Sequence, residues 1–89
     1  MAEIKVETPS EEKLAEMGVK SWPIWEKGVS EFDWHYDQRE VCYLIEGEVE
    51  VDTGEETVEF EAGDLVTFPE GLDCVWKVKK DVKKHYKMG

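Results

Sequence analysis

The segment Gly63-Asp64-Leu65-Val66-Thr67-Phe68-Pro69-Glu70-Gly71-Leu72-Asp73-Cys74 constrains the fold more than any other part of the chain. It reads as a glycine turn, a five-residue strand and a Pro-x-Gly corner, with Cys74 three residues beyond the corner. Glycine supplies positive φ in such turns without steric cost. Pro69 presets the entry to the corner and Gly71 lets the chain reverse. An upstream stretch has a matching layout: Trp34-His35-Tyr36, then Glu40, then Gly47 after six intervening residues. These turn positions specify a fold and carry no chemistry of their own.

Short alternating runs fill most of the remaining chain. Residues 2–7 alternate apolar and polar as a half-buried strand does. Thr8-Pro9-Ser10-Glu11 reads as a capping box, with Thr8 as N-cap, Pro9 as first helical residue and Glu11 as reciprocal partner. The helix then covers Ser10–Met17, ends at Gly18 and buries Leu14 and Met17. From Trp22 to Glu26 a strand is interrupted by Pro23, which suits an edge or a bulge. Gly28 to Tyr36 alternates, with Phe32, Trp34 and Tyr36 on one face and Glu31, Asp33 and His35 on the other. Val41 to Ile45 is an apolar strand closed by Glu46-Gly47. Val49 and Val51 alternate with acids up to a turn at Asp52-Thr53-Gly54-Glu55, and Val58 and Phe60 alternate beyond it. Turn signals roughly every eight to twelve residues predict an all-β sandwich or barrel. The 89 residues fit one domain, 1–89, with the barrel over about 22–86 and an N-terminal strand and helix over 2–18.

Charge narrows the partners. The net charge is -11, yet residues 77–89 hold six lysines against Asp81 alone. The body before them is correspondingly more acidic and repels phosphates, so no nucleic-acid partner is expected. The lysine segment reads either as a solvated strand edge that resists aggregation or as a strip lying against the acidic body. No run is long and apolar enough for a membrane helix and no leader is seen, so the expected location is the cytoplasm, with no membrane partner. Cys42 and Cys74 lack the Cys-x-x-Cys spacing of redox and zinc motifs and read as reduced, small buried hydrophobes. The joint abundance of Glu and Lys hints at a thermophile.

The two motifs together resemble those of the cupin superfamily. The first runs from Gly28 through Trp34-x-Tyr36 to Glu40 and Gly47, and the second from Gly63 through Pro69 and Gly71 to Cys74 and Val78. Trp34-x-Tyr36, Glu40-x-Cys42-Tyr43, Ala62-Gly63-Asp64 and Trp76 are similar to a subfamily of small single-domain cupins. Those are related to the cupin domains of ureidoglycine aminohydrolase and of an ethanolamine-utilisation protein. The resemblance implies an RmlC-like jelly roll (a double-stranded β-helix), a homodimer, and small polar ligands such as sugar derivatives or nitrogenous compounds. It also implies four metal-ligand positions. Three of them hold Trp34, Tyr36 and Cys74 here, and only Glu40 is retained. The expectation is therefore no cofactor and no metal. An altered set of Asp33, His35, Glu40 and Cys74 has metal-competent chemistry. Strand parity, however, turns Asp33 and His35 away from the aromatic face.

If the aromatic face is inside, Glu40 shares it with Cys42 and Leu44, and Cys74 shares it with Trp76 and Val78. The predicted pocket has Trp34, Cys42 and Trp76 as binding walls, with Glu40, Tyr36 and Cys74 as candidate catalytic groups. Desolvation among aromatics favours the neutral form of Glu40, which suits a general acid or base. A Cys–His dyad is disfavoured, because His35 faces outward and His85 lies in the lysine segment. Three alternatives stay open: the aromatics fill the core, Glu40 is a structural carboxylate, and Trp22 and Trp25 form a pocket rim or a dimer contact. Four functions compete: a metal-independent enzyme for a small polar metabolite, a non-catalytic binding module, a metal-dependent cupin with altered ligands, and an accessory subunit.

Overall fold

A computed structural model of the chain describes residues 4–89. In chain order the elements are β1 (Lys5–Glu7), α1 (Glu11–Met17), a 3-10 turn (Val19–Ser21), β2 (Ile24–Lys27), β3 (Ser30–His35), β4 (Glu40–Asp52), β5 (Thr57–Glu61), β6 (Leu65–Phe68) and β7 (Asp73–Met88). All strands pair antiparallel in the order β1-β6-β4-β7-β2, with β3 also on β7 and β5 also on β4. The fold is the expected all-β jelly roll with one short helix.

Two long strands organise it. β4 and β7 pair from Glu40↔Met88 to Asp52↔Val75. On the outer side of β4, β6 flanks residues 40–43 and β5 flanks residues 48–52. On the outer side of β7, β3 flanks residues 73–78 and β2 flanks residues 82–85. The ladder therefore belongs to both halves of the barrel and must bend between them. Register shifts between Leu44 and Val49 mark the bend, and such irregularities increase local twist.

Gly47 is the reason the bend is possible. The sequence places a strand end at Glu46-Gly47, but β4 runs through it. Gly47 takes φ 106°, and a Cβ there would lie 2.6 Å from the Asp81 carbonyl oxygen and 2.7 Å from the Val82 Cα. The residue is a point of backbone contact between the two long strands, not a hairpin turn. Asp81 secures the opposite side, its Oδ1 accepting the Val29 N–H at 3.1 Å.

The alternating residues fill the interior as their parity requires. Cys42, Leu44, Val49, Val51, Val66 and Phe68 are fully buried, and Phe60, Trp76 and Val78 are 2% exposed. Tyr36 stacks on Phe68 at 4.7 Å and 8°, and Phe60 and Phe68 both meet Trp76 at 5.7 Å. Each such side chain contributes about 1.5–3 kcal/mol on burial.

Three local expectations change. The helix N-cap is Ser10, not Thr8: its extended backbone leaves Pro9 outside the helix, and its Oγ accepts the Lys13 N–H at 3.2 Å. Leu14 and Met17 are only half-buried, because α1 packs on the 3-10 turn and not over the core. The expected first strand appears as β1 on β6, and residues 2 and 3 lie outside the described residues. The lysine segment is only in part a sheet edge: β7 has strands on both sides at Lys77, Lys83 and Lys84, while Lys79, Lys80 and Lys87 lie outside the stretches that β3 and β2 flank. Lys77, Lys80 and Lys83 sit opposite Glu50, Glu48 and Glu46 of β4. Lys77–Glu50 and Lys80–Glu48 approach to 3.7 Å; exposed pairs of this kind contribute at most about 1 kcal/mol each. Among the described residues no helix is long and apolar enough to cross a membrane.

Gly47→Ala should destabilise the fold by about 2–5 kcal/mol, combining strain at positive φ with a backbone clash. Gly54 also has positive φ, but with nothing within 4 Å of a Cβ. Its alanine variant should therefore lose only the strain part, about 1–3 kcal/mol. Equal urea-unfolding losses for the two variants would contradict the contact at Gly47.

Candidate functional site

The Pro69-x-Gly71 corner positions Tyr36. Gly71 N–H donates to the Tyr36 carbonyl at 2.7 Å, and Tyr36 N–H donates to the Leu72 carbonyl at 2.9 Å. With the backbone held on both sides, the Tyr36 side chain enters the interior at 1% exposure. Its hydroxyl oxygen accepts the Trp76 indole N–H at 3.0 Å. Burial, reinforced by the nearby Glu40 carboxylate, pushes this phenol well above its ordinary range. Tyr36 therefore keeps its proton and can donate a hydrogen bond.

Beside Tyr36 lies a cavity of about 240 Å³. Tyr36 and Trp76 wall its deep part, while Trp34, 44% exposed, and Met88 stand at its rim. Trp25, Phe32 and Tyr86 complete the apolar lining. The rings brace one another edge-on: Trp34 meets Phe32 at 6.2 Å and Tyr36 at 6.4 Å, and Trp25 meets Trp76 at 5.9 Å.

Two charged side chains also line this cavity, Glu40 and Lys84. Lys84 Nζ donates to Glu40 Oε2 at 2.7 Å, and each side chain is 6% exposed. The ammonium also lies 4.6 Å from the Trp76 ring centroid and 4.9 Å from that of Trp25. Ring faces carry negative potential, and a desolvated cation over one gains up to about 2 kcal/mol. The expected lone, desolvated carboxyl is thus half of an ion pair whose cation is supported by two indoles.

Lys84 was hidden in the sequence by its neighbours. Grouped with five other lysines it reads as surface charge, yet it continues the inward parity of Cys74, Trp76 and Val78 through Val82. Alternation alone does not single it out, because Lys80 has the same parity and is exposed. Trp25 could be placed only as a rim or contact residue, and here it is a cavity wall.

The structure brings Trp34, Tyr36, Glu40 and Trp76 together and leaves the cysteines apart. Cys42 is fully buried behind the cavity and does not line it. Cys74 borders a separate shallow groove with Trp34, His35 and Thr53, because it lies at the start of β7, away from the Lys84 end. Both cysteines are free. Burial pushes the Cys42 thiol up to about 12 and, with Asp73 and Glu40 adding to it, the Cys74 thiol up to about 11. A nucleophilic thiolate is disfavoured at both sites. His35 is exposed, its Nδ1–H donating to Asp73 Oδ1 at 2.6 Å, and His85 Nδ1–H donates to the Trp22 carbonyl at 3.0 Å.

The four positions where the cupin resemblance implies metal ligands do not fit a metal here. Trp34 has no ligating atom, and the Tyr36 hydroxyl oxygen is already engaged by the Trp76 indole N–H. Cys74 does not line the cavity, and the Glu40 carboxylate is already paired with a cation. Asp33 and His35 do not join Glu40, and among the described residues no three His, Cys, Asp or Glu side chains gather into a metal-holding group.

Removing one member of the buried pair leaves the other charge uncompensated. Glu40→Gln and Lys84→Met should each cost about 3–5 kcal/mol, and the double variant should recover much of that loss. Additive losses in a urea-unfolding cycle would show that the pair is not coupled. A second expectation concerns alkaline pH. Free thiols ionise near 9, so the stability these buried thiols contribute is complete below about pH 9. It is lost as pH rises through about 11 for Cys74 and about 12 for Cys42. The urea midpoint should fall above about pH 9, less steeply in Cys42→Ala; parallel curves for the two proteins would remove Cys42 as a cause.

Residues 14–86 match the family described as the EutQ-like cupin domain. A DUF861-family protein from Thermotoga maritima is 57% identical, with a TM-score of 0.96 over 98% of this chain and all of that one. The EutQ protein of Clostridium difficile is 23% identical, with a TM-score of 0.68 over 73% of this chain and 52% of that one. A putative ethanolamine utilization protein Q from Salmonella typhimurium is 25% identical, with a TM-score of 0.67 over 73% of this chain and 53% of that one. The matches to these two proteins therefore span only about half of their length. Comparison with curated proteins gives no match.

Proposed function

We propose that this chain, which belongs to the EutQ-like cupin domain family, binds a small polar metabolite in the aromatic cavity and acts on it without a metal. The observation that carries this reading is the Glu40–Lys84 pair at 2.7 Å, set among Tyr36, Trp25 and Trp76. Large sites for drug-sized ligands span about 300–1,000 Å³. A cavity of about 240 Å³ selects something smaller, such as a short sugar derivative or nitrogenous compound. Apolar ring faces would cover the ligand's carbon skeleton, and three polar groups would read its substituents. Lys84 donates, Glu40 accepts, and Tyr36 donates through a hydroxyl that stays protonated.

Glu40 is the acid/base residue in this reading. It already shares a proton-bearing contact with Lys84, so a proton can pass between the two without solvent. The same closed pair supports a second reading, a binding module in which the ions orient a ligand and no bond changes.

The two readings separate experimentally. A panel of small metabolites screened by thermal shift should raise the Tm of the wild-type chain for at least one polar compound. Trp34→Ala should weaken that compound about tenfold, as loss of an exposed aromatic contact does, while leaving the fold intact. If turnover of the bound compound survives Glu40→Gln, the acid/base role falls and the binding reading stands. If Trp34→Ala and Lys84→Arg both leave affinity unchanged, ligand binding in this cavity is excluded.

A further inference from the structure

Among the described residues Lys84 is the one buried lysine, and its amine opens onto a cavity. Three observations bear on what such an amine can do. Glu40 Oε2 lies 2.7 Å from Nζ, within reach for direct proton transfer. The faces of Trp25 and Trp76 support positive charge at that nitrogen. Apart from Glu40, the walls around it are aromatic rings and Met88, which limits water at the reacting atom.

We propose that Lys84 captures a small uncharged aldehyde or ketone as a protonated Schiff base. This rests on the ligand-binding reading of the same cavity and names its substrate class. The steps balance. The Lys84 ammonium gives a proton to the Glu40 carboxylate, and the freed amine attacks the carbonyl carbon. The C=O π electrons move to oxygen, which takes the proton leaving nitrogen and forms a carbinolamine. Glu40 then returns its proton to that hydroxyl, water leaves, and the nitrogen lone pair forms C=N. Ammonium and carbonyl have become iminium and water, with Glu40 again a carboxylate.

The positive charge returns to the place from which it started. The product cation sits on the nitrogen that carried charge before, so the carboxylate and the two indoles that hold the ammonium also hold the iminium. The Tyr36 hydroxyl, kept protonated by its burial, is a donor for the carbonyl or carbinolamine oxygen. The substrate should be uncharged, because the Glu40–Lys84 pair is neutral as a whole and the chain carries -11. An anionic carbonyl compound would meet long-range repulsion and find no unpaired cation.

Reductive trapping tests this. The full chain is incubated at neutral pH with limiting butanal and sodium cyanoborohydride, then digested and mapped by mass spectrometry. Alkylation should appear at Lys84 at least about tenfold faster than at the exposed lysines. In Glu40→Gln the Lys84 label should fall to the rate of the surface lysines. Lys84→Arg should lose only that one label while keeping the wild-type circular dichroism spectrum. Should either variant fail to fold, the wild-type map still decides. Label spread evenly over the surface lysines, with Lys84 unmodified, overturns the proposal. Tryptophan fluorescence with butanal alone separates that failure from failure of the pocket itself. Saturable quenching without a trapped adduct keeps ligand binding and sinks the Schiff base. The absence of both sinks both.

Discussion

The β4–β7 ladder is the constraint on which everything else rests. Among the described residues these two strands are the only elements shared by both halves of the barrel, and each is flanked by two short strands on its outer side. The halves can close on one core only if the ladder bends midway. That bend needs β4 to approach the β7 backbone at Asp81–Val82 closer than any side chain permits, and Gly47 is the residue there. Had the chain stayed flat, Trp76 and Phe60 would not meet Tyr36 and Phe68, and no enclosed space would form.

The same ladder builds the polar part of the cavity. Glu40 opens β4 and Lys84 lies near the end of β7, so antiparallel pairing brings together residues 44 positions apart. Desolvating two ions costs several kcal/mol each, and their attraction offsets this only with good geometry and further partners. Here the further partners are the two indole faces. An apolar pair of similar volume would pack as well or better, so stability alone is a weak reason for the ions. Their placement on a cavity wall points to use.

The cavity also explains how a cupin can lack the metal-binding set. The corner that elsewhere would aim a ligand at a metal here fixes Tyr36 through two backbone hydrogen bonds. The retained carboxylate faces an ammonium supplied by its own chain. A fixed cation on a covalent tether occupies the electrostatic role at that carboxylate. The surrounding rings supply a low-polarity wall.

The order of strands, the turns and the inward faces were legible in the sequence, because strand periodicity and glycine turns are local properties. Phe32, Tyr36, Glu40 and Trp76 could be assigned to one interior from alternation alone. The amino-acid order also placed the turn at Gly63 and the corner at Pro69-Gly71 and identified their family likeness. It could not show that Gly47 lies within a strand, since the contact that demands glycine comes from residues far along the chain. Nor could it separate Lys84 from five lysines that surround it in sequence and face solvent or acidic partners. Whether Cys42 and Cys74 border the cavity depended on where along the strands the cavity opens, which side-chain volumes decide. Local spacing determined the elements and their faces. Tertiary packing alone decided which carboxylate met which amine, because that pairing is a property of long-range register and of the space left between aromatic rings.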